Sequence, residues 1–211
     1  MLKHLSGVVL GLSILSFSGV VMAEENYLSA ELANTAYYSA EEDQNGYYQS
    51  KLLKAKPPTA VLNGLHVRTN GNLVEFTRSG YDGPSGVFAA VGIVNPKAKF
   101  HSEADFDKAS KKILAHYASN ALKGEDYSFT EVKRGIPVEV NGHYGYEMVM
   151  HDPKRNAFMQ ITRLWFGEGK TAVAYYYFPA SEEKSPKSVN EFLGWNGSES
   201  YRQFLETIDF K

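Results

Sequence analysis

From Asn141 to Pro179 the chain reads NGHYGYEMVMHDPKRNAFMQITRLWFGEGKTAVAYYYFP, three consecutive strand patterns joined by two short polar turns. In the first, Tyr144, Tyr146, Met148 and Met150 share one parity, while His143, Gly145, Glu147, Val149 and His151 share the other. That alternation predicts a strand with one wet face. The second, Ala157–Phe166, sets Met159, Ile161 and Trp165 against Phe158, Leu164 and Phe166, and is apolar on both parities. The third, Thr171–Phe178, does the same with Val173, Tyr175 and Tyr177 opposite Ala172, Ala174, Tyr176 and Phe178. An antiparallel sheet that is apolar on both sides needs a covering layer on each.

Two segments can supply those layers. Ser102, with Asp105 three residues on, starts a helix in capping-box fashion. Phe106, Ala109, Ile113, Tyr117 and Ala121, with Leu114 and Leu122, then recur at helical spacing, Lys108, Lys111 and Lys112 take the solvated side, and Gly124 marks the stop. At the other end, Glu199–Phe210 reads as a closing helix with Tyr201, Phe204, Leu205 and Ile208 on one face and Ser198 or Ser200 as cap. Val61–Thr69 and Leu73–Arg78 form a predicted hairpin around Asn70-Gly71-Asn72, and Gly86–Pro96 a strand buried on both faces. Tyr127–Val140 is a strand bending at Gly135-Ile136-Pro137, and Phe192, Leu193 and Trp195 make a short helical turn or packed insertion. The expected fold class is α+β, an antiparallel β-sheet flanked by helices on both faces.

The first residues are expected to be removed. Lys3 and His4 precede an apolar run, Val8–Val21, and Val21-Met22-Ala23 offers a small-x-small cleavage site before Glu24. A membrane anchor needs about 20 apolar residues, whereas this run is shorter and broken by Ser13, Ser16, Ser18 and Gly19. Cleavage leaves no transmembrane segment and places the mature chain in a bacterial periplasm or outside the cell. It takes one cation, Lys3, from 22 Lys+Arg and none of 24 Asp+Glu, moving the net charge from −2 to −3. A mildly acidic chain has no electrostatic footprint for nucleic acid. With no cysteine, disulfide scaffolds, thiol catalysis and lipidation after the signal are excluded.

Residues 24–60 read as an acidic, tyrosine-rich arm and linker. Glu24, Glu25, Glu31, Glu41, Glu42 and Asp43 precede the basic Lys51, Lys54 and Lys56, with Tyr37-Tyr38 and Tyr47-Tyr48 between. A short helix over Leu28–Ala40 fits Leu28, Glu31, Leu32 and Thr35 on one face. The tyrosines could anchor a partner, or their rings could cover a sheet edge as a loosely docked extension, the reading favoured here. Pro57-Pro58 is the expected start of a single domain covering residues 61–211.

Sequence patterns that suggest chemistry fall to geometry. GEGKT (Gly167–Thr171) lacks the glycine that a phosphate-binding loop needs at Leu164 and precedes a strand rather than a helix, so it reads as a hairpin turn. His143, Glu147 and His151 would align on a helix. On a strand four residues span about 13 Å, too far for ligands that bond at about 2 Å, so the three are expected as a solvent-facing row. Ser85 lies in GPSG, but Val87 replaces the glycine of a nucleophile elbow. Tyr175-Tyr176-Tyr177 is read as core packing with hydroxyls reaching the rim, with a ligand or partner surface at Tyr176 as the alternative. No catalytic residue, metal or cofactor is expected.

The order strand, strand, long helix, strand, meander, closing helix resembles the PsbP-like fold superfamily, which includes photosystem II extrinsic subunits and DcrB-like bacterial envelope proteins. GIPVEVNGHYGYEM (Gly135–Met148), AVAYYYFPAS from Ala172 and YRQFLETIDF (Tyr201–Phe210) carry the resemblance, which covers about Val61–Lys211. It implies an α/β/α sandwich and a role in binding or assembly. The first functional expectation is therefore an exported, non-catalytic envelope protein that binds another protein through an arm presenting Tyr37, Tyr38, Tyr47 and Tyr48. The second is a carrier of a small apolar or aromatic ligand held between sheet and helix near Tyr144, Trp165 and Tyr176. Both direct attention to the arm and to the Glu182–Gly197 insertion at the edges of the fold.

Overall fold

A computed structural model describes residues 38–39, 41–59, 65–69, 73–78, 87–92, 100–121, 131–154, 156–168, 170–179, 186–195 and 199–211. The expected export signal, Tyr37, most of the Leu28–Ala40 segment, Ser85, Gly124, Gly169 and the expected Asn70-Gly71-Asn72 turn lie outside them. In chain order the strands are β1 (Tyr38–Ser39), β2 (Tyr48–Gln49), β3 (Leu53–Ala55), β4 (Leu65–Thr69), β5 (Leu73–Arg78), β6 (Val87–Gly92), β7 (Glu131–Val140), β8 (His143–Asp152), β9 (Ala157–Trp165), β10 (Thr171–Pro179) and β11 (Asp209–Phe210). The helices among the described residues are α1 (Glu103–Ala121), α2 (Val189–Leu193) and α3 (Glu199–Glu206). An eight-stranded antiparallel sheet runs β1-β4-β5-β6-β10-β9-β8-β7, and a three-stranded sheet runs β11-β3-β2. The class is α+β, with strands dominant.

Local chemistry explains the central meander. Asn141 and Gly142 hold φ angles of 51° and 77°, the left-handed pair of a two-residue hairpin turn that Asn-Gly favours, so β7 folds straight back into β8. Gly145 sits where the strands approach closely. A Cβ there would lie 2.2 Å from the Arg163 carbonyl oxygen and 2.9 Å from Leu164 Cδ2. The pairing sets Tyr146 opposite Arg163, and Arg163 opposite Val173 of β10. α1 begins as its sequence predicts, with the Asp105 N–H donating to Ser102 Oγ at 3.2 Å.

Contacts follow strand parity. Tyr144 and Trp165 meet Phe106 of α1, with ring centroids 6.3 Å apart in each case. Residues of the other parity meet α2 and α3: Thr162 accepts the Tyr201 hydroxyl at 2.7 Å, and Val149 and Phe158 cluster with Val189 and Phe192. This corrects the expected wet face of β8. Glu147 and His151 are 4% and 6% exposed, because the helices lie over the parity that carries them. His143, also expected in solvent, is half-buried with its ring 4.0 Å from Phe166.

Three boundaries differ from expectation. The arm is not an appendage ending at Pro57-Pro58: Leu53 and Ala55 are 0% exposed and share a core with Val74, Phe76, Phe204 and Ile208. Burying a leucine is worth about 1.5–3 kcal/mol, enough to bind the segment into the domain. Tyr38–Ser39, expected at the end of a helix, instead pairs with Thr69 and Arg68 of β4. The closing helix stops at Glu206 rather than reaching Phe210. Thr207 Oγ1 donates back to the Phe204 carbonyl and accepts the Lys56 N–H, after which β11 pairs with β3 through Asp209↔Lys54 and Phe210↔Leu53.

Candidate functional site: a buried arginine beneath α1

The centre of β9 carries an arginine in an apolar setting. Arg163 is 1% exposed and heads the largest fully buried side chains. Its Cζ lies 5.8 and 5.9 Å from the ring centroids of Phe100 and Phe106. Among the described residues its Nε and Nη1 have no hydrogen-bond partner and it forms no ion pair. Arginine is rarely buried unless paired, and an uncompensated buried charge is strongly destabilising.

The polar atoms around it share the condition. Trp165 Nε1 and Thr171 Oγ1 are buried and unpartnered, and these two residues are direct partners across β9 and β10. Both lie on the Arg163 parity, one step toward the β9–β10 turn. Ser110 Oγ, one helical turn beyond Phe106 on α1, is likewise buried without a partner. Guanidinium, indole and two hydroxyls thus leave donors unspent within one aromatic layer.

Asp107 borders this layer from α1 and is already engaged. Its carboxylate accepts from the Tyr146 hydroxyl and from Tyr144 at 3.3 Å, and pairs with Lys111 at 2.8 Å. Tyr144 and Tyr146 also bond each other through their hydroxyls, and the Lys111 ammonium sits 4.9 Å over the Tyr146 ring. Desolvation, then the Asp107 charge, raises the Tyr144 pKa above that of an ordinary phenol, which keeps it a neutral donor. Phe100 and Trp165 are only half-buried, so the layer reaches solvent on their side. There His101 Nδ1 meets Glu168 Oε1 at 2.8 Å, tying the chain ahead of α1 to the β9–β10 turn. That turn is the GEGKT segment, closed by Phe166 N–H to the Lys170 carbonyl at 2.9 Å.

The opposite parity holds a satisfied polar chain. Tyr201 donates to Thr162 at 2.7 Å, and Thr162 donates to Glu147 Oε2 at 3.2 Å. Burial pushes the Glu147 pKa up, against hydrogen bonds from Gln160 and Thr162 and the charge of Arg202. Burial, with Glu147 beside it, raises Tyr201 as well.

The tyrosines singled out in the sequence are dispersed. Tyr38 enters the sheet edge through its backbone. Tyr47 is half-buried with the ammonium groups of Lys54 and Lys56 4.7 and 4.8 Å from its ring centroid. Tyr48 turns inward, edge-on to Phe76 at 6.0 Å, with its hydroxyl on Glu42 at 3.3 Å. Tyr176 is 1% exposed, packs against Tyr201 at 5.2 Å and bonds Ser200, and burial pushes its pKa up to about 12. Tyr176 thus belongs to a core cluster against which the partly buried Tyr48 packs. In the insertion, Ser188 caps α2 by accepting the Glu191 N–H at 3.2 Å, and Phe192 is buried against Phe158.

Arg163, Thr171, Phe100, Asp107 and Ser110 were not legible as a site. The available signal was one cation inside ITRLW, a strand apolar on both parities. Compared with known proteins, the chain matches no family model and no curated protein sequence.

Proposed function

We propose that the chain is an exported, non-catalytic envelope protein of PsbP-like α/β/α architecture that carries a small apolar or aromatic molecule between its sheet and α1. The parity of contacts supports the architecture: Phe106 of α1 meets Tyr144 and Trp165, while Tyr201 of α3 meets Thr162 of the other parity. The layout of residues 1–23 supports export. The observation that carries the binding reading is the set of unspent buried donors at Arg163, Trp165 and Thr171 among aromatic rings. Buried polar groups are ordinarily bonded, and a binding site is a place where they wait for a guest.

The test is titration of the mature protein with the uncharged dye N-phenyl-1-naphthylamine and with its sulfonated analogue, 8-anilino-1-naphthalenesulfonate. Saturable binding of at least one dye at one site per chain is expected, with energy transfer from tryptophan that falls in Trp165→Phe. Failure of both dyes to bind saturably would overturn the carrier reading.

A second reading, assembly with another envelope protein through the arm, has one observation in its favour: Tyr47 lies half-buried at the surface beside Lys54 and Lys56. Deleting residues 24–56 would remove Leu53 from the core, so the informative variant is Tyr47→Ala. Capture of a partner from envelope extract by the wild type and its loss in Tyr47→Ala would support assembly, whereas equal capture by both would remove the arm from consideration.

A further inference from the structure

We infer that the site beneath α1 recognises an acid: a molecule with an aromatic or apolar body and one oxyanion group, such as a carboxylate, bound by Arg163 with Trp165 Nε1 and Thr171 Oγ1 as further donors. The inference rests on the carrier reading above and specifies the chemistry of the guest.

Three features carry it. Arg163 is 1% exposed, and its Nε and Nη1 have no partner. A guanidinium is a rigid planar fork suited to two parallel bonds with an oxyanion, and it cannot shed its charge to escape burial. A guest that supplies a negative charge thus compensates the buried guanidinium, whereas a neutral guest does not. Next, the other unspent atoms match an acceptor. Trp165 Nε1 can only donate, and Thr171, its cross-strand partner, stands beside it on the same parity. Finally, Asp107, the acid that α1 brings to Tyr146 opposite Arg163, is engaged by Lys111, Tyr144 and Tyr146, and among the described residues Arg163 has no counter-ion.

The body of the guest is set by the surroundings. Phe106 stacks on Trp165 with an interplanar angle of 19° and meets Phe100 edge-on at 5.7 Å. An aromatic or apolar body placed against these rings would extend from Arg163 toward the half-buried Phe100 and Trp165. Phosphate monoesters, with two charges, fit less well than a monoanion because one arginine is the sole described cation in the layer's interior.

The experiment compares the two dyes, which share one aromatic skeleton and differ by a sulfonate. Wild type is expected to bind the sulfonated dye at least about tenfold more tightly than the neutral one, as a charge-assisted bond pair warrants. Arg163→Met is expected to bring the two affinities within about threefold of each other. Arg163→Lys, which keeps the charge and loses the fork, falls between. Wild type showing no preference overturns the acid while leaving the carrier reading intact, and this result needs no variant to fold. A tenfold preference surviving in folded Arg163→Met, checked by near-ultraviolet circular dichroism, overturns the assignment to Arg163. Neither dye binding overturns the carrier reading and the acid with it.

Discussion

Replacing Arg163 by methionine should make the unliganded protein more stable, an unusual direction for a change at a wholly buried position. Each unpartnered buried donor costs about 1–3 kcal/mol, so the free Nε and Nη1 together cost about 2–6 kcal/mol before the charge itself is counted. Opposing this are the contacts with Phe100 and Phe106 at 5.8 and 5.9 Å, near the limit of cation–π attraction and worth about 0.5–1 kcal/mol each. Methionine fills the arginine stem's path with an adaptable apolar chain. The net expectation is about 1–4 kcal/mol of stabilisation. In urea this moves the unfolding midpoint up by about 1 M, and on heating about 2–4 °C for each kcal/mol in a chain of this size. Both are read on ligand-free mature protein by circular dichroism. A midpoint below wild type would refute the reasoning, because it would mean that the guanidinium supports the fold. A rise in stability together with lost anion preference marks a residue kept for binding at the expense of folding.

Three further outcomes test the rest of the structure. Leu53→Ala should cost about 2–5 kcal/mol, since Leu53 is 0% exposed in the core; a change below about 0.5 kcal/mol in urea unfolding would restore the view of a loosely docked arm. Gly145→Ala should destabilise by about 1–3 kcal/mol through overpacking against the Arg163 carbonyl, and a neutral effect would show that β8 and β9 can separate at no cost. Burial raises the Glu147 pKa above its ordinary 4.5, so its contribution is fully present below that pH and is lost as pH rises through the folded-state value. Glu147→Gln should therefore gain on wild type as pH climbs from 4.5 toward neutrality, and a gap in urea midpoints that stays constant with pH would contradict the assigned direction.

Much of the fold was legible because periodicity reports on burial. β8, β9 and β10 fall where alternating and two-sided apolar patterns placed them, and Ser102 caps α1 as its spacing indicated. The legible part of the site was its aromatic content: Tyr144 and Trp165 stood out, and they do line the layer under α1. The rest was hidden because a sequence specifies which residues share a strand face and not which groups meet across it. His143, Glu147 and His151 looked polar and hence wet; two of them are buried because α2 and α3 lie over that parity, which no local pattern in β8 reveals. Leu53 and Ala55 lie in the core on a strand that residues from the far end of the chain, β11, join by pairing with Leu53 and Lys54.

By itself the sequence determined the strands, the long helix, the absence of cysteine chemistry and the demand for a layer on each apolar side of the meander. These are local or compositional properties, set by side-chain period and inventory. Only the tertiary structure decided that Arg163 is an unpaired charge, because pairing depends on which groups come within about 3–4 Å once three strands and a helix have packed. The same cation in ITRLW would be unremarkable with a carboxylate opposite it, and the fold sets Tyr146 and Val173 there instead.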